Sequence, residues 1–120
     1  MVRGSTGERR DNTAVIPHMT ERQQGTIILT GATPAFASAK FALRGLAQSL
    51  AREYGPKGVH VAHVVLDGLI DEPQTDQRFG AQPTGRMDPR SIAQAYLDLA
   101  RQPPSTWTHE MDLRPFSERF

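Results

Sequence analysis

The feature that most limits what this chain can fold into is the order of three segments between Gly25 and Leu66. Thr26-Ile27-Ile28-Leu29 is a short apolar, β-branched run set between Gly25 and Gly31, which predicts a buried strand. A run without polar alternation needs cover on both faces, and that is the habit of parallel sheets. From Ala37 to Tyr54 no proline interrupts the chain, and Phe36, Leu43, Leu46, Ala47, Leu50 and Ala51 recur at helical spacing. Gly55-Pro56 ends that helix, because proline cannot continue it and glycine suits a left-handed stop. His60 to Leu66 is a second apolar strand. Strand, helix and strand at this spacing form a right-handed crossover, so an α/β fold with a parallel sheet is expected.

The remaining segments extend that plan. Residues 1–13 are polar, glycine-bearing and without either apolar period, and are expected to be a disordered leader to a domain over 14–120. Ala14 to Gln24 has a weak amphipathic pattern interrupted by Pro17, which reads as a short helical remnant. Asp67 to Pro89 is expected to be a long polar loop. Ser91 to Arg101 predicts a helix with Ile92, Ala95, Tyr96 and Leu99 inward and Asp88 as its cap. After Pro103-Pro104, Thr106 to Leu113 predicts a third strand with Trp107, His109, Met111 and Leu113 on one face. The three strands should lie side by side in chain order under flanking helices, with the first at an edge.

Composition excludes several classes. At 120 residues there is room for one core, and 14 Lys/Arg against 13 Asp/Glu leave a net charge of +1 that does not favour nucleic acid. Cysteine is absent, which rules out disulfides and thiolate metal sites and fits a cytoplasmic setting. No stretch approaches the roughly 20 apolar residues of a membrane span. His60 and His63 fall on opposite strand faces, so they do not form a metal pair, and His63 is expected to be a core histidine with a hydrogen-bond partner. Asp71, Glu72 and Asp76 have no histidine near them and read as a solvated rim rather than a metal site.

Gly25-Thr-Ile-Ile-Leu-Thr-Gly31, then Phe36-Ala-Ser-Ala-Lys40-Phe-Ala-Leu-Arg-Gly45, then Gly58-Val-His-Val-Ala-His-Val-Val, closely resembles the active-site region of the short-chain dehydrogenase/reductase family. The likeness continues through Asp67-Gly68-Leu69-Ile70-Asp71 to Trp107–Leu113 and covers roughly residues 14–120. Several segments in order carry it; a lone F-x-x-x-K would be weak. The resemblance implies a partial Rossmann-like parallel sheet of three strands, the C-terminal half of the family domain.

It also implies site residues. In the family a tyrosine four residues before a lysine supplies the proton-transfer acid, and the i, i+4 spacing stacks the ammonium near the phenol. Phe36 stands in that tyrosine slot and cannot move a proton. Lys40 corresponds to the lysine that also meets the nicotinamide ribose; the plainer alternative is a solvated helix lysine. Thr33 is the nearest hydroxyl to the family's serine, although only two residues separate it from Phe36, and a turn hydroxyl is the other reading. Asp67-Gly68 corresponds to the family's Pro-Gly turn, and Leu69 and Ile70 to the positions whose backbone meets the nicotinamide amide. Glu72 falls where a threonine often contacts cofactor phosphate, and a carboxylate there repels a pyrophosphate.

The resemblance thus implies NAD or NADP as cofactor. Upstream, Gly4-Ser5-Thr6-Gly7 follows no strand and does not read as the family's glycine-rich phosphate turn. The expectation is an oxidoreductase homologue inactive alone. The alternative is an interaction module that pairs through helix 36–54 with itself or a full-length relative, with Phe41, Leu43 and Leu46 exposed.

Overall fold

The computed structural model describes residues 9–32, 37–80 and 85–117. Its sheet has three strands: β1 (Thr26–Ala32), β2 (His60–Leu66) and β3 (Glu110–Leu113), in the order β1-β2-β3. Both pairings are parallel, with Leu29 opposite His63 and His63 opposite Glu110. The helices are α1 (Arg9–Arg22), α2 (Ala37–Tyr54), α3 (Pro73–Phe79) and α4 (Pro89–Ala100).

Alternation along the strands builds two small cores. On one face Ile27, Leu29, Val59 and Val61 pack with Ala47 of α2 and with Ile16 and Met19 of α1. On the other, Ile28, Ala62 and Val64 pack with Leu99 of α4, joined by Tyr96, Leu66, Met111 and Leu113. Each fully buried Ile, Leu or Val stabilises the fold by roughly 1.5–3 kcal/mol relative to exposure. β2, in the middle, is buried from His60 to Val65, which is why its sequence shows no polar alternation.

Four boundaries differ from the sequence reading. α1 begins at Arg9, inside the stretch expected to be a disordered leader, and runs through Pro17; residues 1–8 lie outside the described residues. A proline costs a helix one hydrogen bond and some crowding, and Ile16 and Met19 on either side of it recover that by packing. The expected loop of 67–89 contains α3, started by proline in its first turn. α4 starts at Pro89 rather than Ser91, capped as expected by Asp88, whose carboxylate accepts from the Arg90 amide at 2.9 Å. β3 is confined to Glu110–Leu113 because Gln102 captures the approach: its carbonyl accepts from Trp107 Nε1 at 3.2 Å and its Oε1 from the Thr108 amide at 2.7 Å.

Candidate functional site

Parallel strands present their carboxyl ends together, and in open α/β sheets ligands bind outside those ends. β1 leads there into α2, and β2 leads into Asp67-Gly68-Leu69-Ile70. Lys40 stands in the first turn of α2, exposed, and makes no hydrogen bond or ion pair among the described residues. Thr33 and Phe36, the other two expected site positions on this helix entry, lie outside the described residues.

The segment after β2 is held by backbone bonds. Gly68 passes so close to the residue following Arg114 that an added Cβ would sit 2.6 Å from Pro115 Cδ and 3.3 Å from Met87 Sδ. Ile70 then forms an isolated parallel bridge with Met87: the Met87 amide donates to the Leu69 carbonyl and the Asp71 amide to the Met87 carbonyl, both at 2.8 Å. In a parallel bridge the central residue turns its own N–H and C=O away from the partner. The Ile70 amide and carbonyl therefore face the opposite side, with no partner among the described residues. Leu69, by contrast, has its carbonyl committed to Met87 and its side chain in solvent.

Beside this segment a cleft of about 230 Å³ is lined by Met87, Asp88, Ser91, Ile92, Leu113, Arg114 and Pro115. Its wall is fixed by Arg114, which pairs with Asp67 at 3.3 Å and Asp112 at 3.0 Å. Asp67, at the head of the turn, thus has a structural partner. Glu72 is exposed and caps no amide of α3 with its side chain. No group of three or more potential metal ligands exists among the described residues.

Under α2, His63 is 1% exposed and its Nδ1 lies 3.2 Å from Glu110 Oε1, while Glu110 Oε2 lies 3.1 Å from Arg44 Nη2. This chain ties α2 across β2 to β3. The expectation of a core histidine with a partner fits, yet Nε2 is buried without one, over Gly31. His60, on the other face, stacks parallel on Trp107 at 4.8 Å and its Nε2 lies 2.7 Å from the Thr108 carbonyl.

Comparison with known proteins decides the family. The family profile described as short chain dehydrogenase matches residues 11–82, more than half of the chain. The chain belongs to the short-chain dehydrogenase family. Among relatives of this family, an uncharacterized oxidoreductase of Schizosaccharomyces pombe is 34% identical over 107 residues, covering 72% of this chain and 41% of its own length. A short-chain type dehydrogenase/reductase of Sinorhizobium fredii is 35% identical over 88 residues, 65% of this chain and 34% of its own. A crystal structure of a short-chain dehydrogenase from Rhodopseudomonas palustris is 42% identical, with a TM-score of 0.59 over 82% of this chain and 42% of that one. The closed form of a serine dehydrogenase complexed with NADP+ is 17% identical and shows the shared fold, with a TM-score of 0.73 over 91% of this chain. The chain spans less than half the length of the curated relatives.

The resemblance implied roles for Lys40 and Ile70, and sequence reasoning did not single out Met87, whose backbone bridges Ile70. A single residue just before an Asp-Pro cap leaves no periodic signal by which a bridge could be read.

Proposed function

We propose that this chain forms the nicotinamide-facing half of a short-chain dehydrogenase site and does not turn over by itself. The observation that carries the reading is the pair of backbone groups on Ile70, one donor and one acceptor side by side, that have no partner among the described residues. A carboxamide offers the complementary acceptor and donor, so these atoms suit the amide of NAD or NADP. Lys40, exposed and without a partner among the described residues, is the residue that would meet the ribose. When bound, the nicotinamide supplies hydride transfer; the chain's own groups orient it.

The lack of independent turnover rests on Phe36, whose phenyl ring can neither give nor take a proton, and on Gly4-Ser5-Thr6-Gly7, which does not read as a phosphate turn. Restoring the hydroxyl by Phe36→Tyr should leave NADH oxidation at the level of the parent. General acid catalysis accounts for roughly 10²–10⁴ of a rate enhancement, whereas holding the reacting carbons within about 3–3.5 Å is the prior requirement. The test is a spectrophotometric assay of NADH and NADPH oxidation with ketone substrates. Turnover by the parent that disappears in Lys40→Ala would overturn the reading.

A second reading, pairing through the long helix, is favoured by one observation: Phe41 of α2 is 63% exposed, with Leu46 also in solvent. Leu43 does not join them, because it packs into the core with Ala47 and Leu50. Phe41→Glu should then shift the sedimentation coefficient from dimer to monomer. A parent that sediments as a monomer at high concentration removes this reading.

A further inference from the structure

Among the described residues, the buried side-chain nitrogens and oxygens without a partner belong to Thr20, His60, His63 and Arg86. Only Arg86 carries a permanent charge. Its side chain is 4% exposed, and Nη2 donates to the Gly80 carbonyl at 2.6 Å. Nε and both N–H bonds of Nη1 have no acceptor. Asp76 lies 3.9 Å from Nη2, near enough to offset charge and too far for a hydrogen bond. A buried guanidinium with open donors is costly for the fold, and such groups persist where something else completes them.

Arg86 is also next to the site in the chain. It is the residue immediately before Met87, the backbone partner of Ile70. The one acceptor Nη2 has belongs to an exposed residue: Gly80 caps α3 at a φ of +81°, and an added Cβ there would meet nothing within 4 Å. Its carbonyl is therefore the replaceable acceptor. A two-oxygen anion that displaces it gains Nη2 and the neighbouring Nε together, the side-on fork by which arginine reads carboxylates and phosphates.

We propose that Arg86 is an anion-reading residue, which would take a carboxylate or phosphoryl group of a substrate at the site beside Ile70. That the ligand is a substrate rests on the proposed function; the anion site itself does not. Asp76 is its competitor, which gives the two variants opposite signs. In calorimetric titrations of the full chain with inorganic phosphate and with acetate, Arg86→Gln should weaken binding about ten- to hundredfold. Asp76→Asn should tighten it by a few fold, on the order of a partly exposed ion pair.

Phosphate taken up in preference to acetate assigns a phosphoryl group, and the reverse a carboxylate. The Asp76→Asn arm stands even if Arg86→Gln fails to fold, and Arg86→Lys, which keeps the charge but loses the fork, should fall between parent and Arg86→Gln. No heat from either anion with parent and Asp76→Asn, or equal affinity in Arg86→Gln, overturns the proposal. Because no nicotinamide is present in these titrations, a failed cofactor site and a failed anion site give separate results.

Discussion

The two ends of this small sheet are built on opposite terms. At the amino end, His60 stacks on Trp107, Trp107 donates to the Gln102 carbonyl, and Gln102 Nε2 donates to Thr108 Oγ1 at 2.9 Å. Of that cluster His60 Nδ1 alone is left without a partner. At the carboxyl end, among the described residues, the Ile70 amide and carbonyl are open, Arg86 holds unfilled donors, and Lys40 has no ion pair. Both ends grow from the same three strands, so the difference is not one of scaffold. Polar groups closed on each other fix the fold, and those left incomplete in a fixed frame are available to a ligand.

Glycines at the two ends give the sharpest way to break that contrast. Gly58, just before β2, has a φ of +86°, and a Cβ on it would overlap the Gln23 carbonyl, with the carbonyl carbon at 2.8 Å. Backbone cannot step aside as a side-chain tip can. Gly58→Ala should therefore cost roughly 2–4 kcal/mol in urea unfolding, the largest effect expected of any change here. Loss below about 1 kcal/mol would show that the α1–β1 turn yields easily.

Gly68 tests the other end. A Cβ there would sit 2.6 Å from Pro115 Cδ, so that ring and the backbone nitrogen it is tied to must move, whereas the Met87 thioether at 3.3 Å need give only a few tenths of an ångström. Gly68→Ala should cost about 1–3 kcal/mol of stability, somewhat less than Gly58→Ala, where the overlap is with a backbone carbonyl. Because Met87 aims Ile70, the same change should weaken nicotinamide binding to the folded protein. A variant that loses stability like Gly58→Ala, with binding per folded molecule intact, would erase the distinction between the two ends.

How far sequence reached follows the same division. The strand, helix, strand order and the sheet order were legible because Thr26–Leu29, Ala37–Tyr54 and His60–Leu66 are long or uniform enough for periodicity to speak. Asp88 was legible because a cap is a local event. α3 was not, since Pro73–Phe79 is polar and spans barely two turns, and α1 was hidden behind Pro17. Trp107 to His109 alternates like a strand, yet one glutamine side chain five residues upstream claims its backbone. Lys40 and the Ile70 position came from resemblance, while the direction of the Ile70 amide and the burial of Arg86 depend on tertiary neighbours that no local pattern encodes.

The smallest expected effect belongs to the closed end and concerns pH. Tyr54, the last residue of α2, packs against the first core, and its carbonyl accepts from the Val59 amide at 3.1 Å, next to Gly58. Its phenol is raised above the usual tyrosine range, first by burial and then by the neighbouring Glu53 carboxylate, which both repels a phenolate and bonds the neutral hydroxyl. A folded group with a raised pKa holds its proton longer than the unfolded chain does. Stability from it is thus fully present below the unfolded value near 10 and is lost as pH climbs through the folded value. Between about pH 8 and about pH 11 the urea midpoint of the parent should fall, and Tyr54→Phe, with no proton to release, should fall less. Lys57 lies 5.3 Å from the ring centroid, so Lys57→Met in both backgrounds separates its part. Parallel midpoints for parent and Tyr54→Phe across that window would mean that the phenol gains nothing from its place at this end of the sheet.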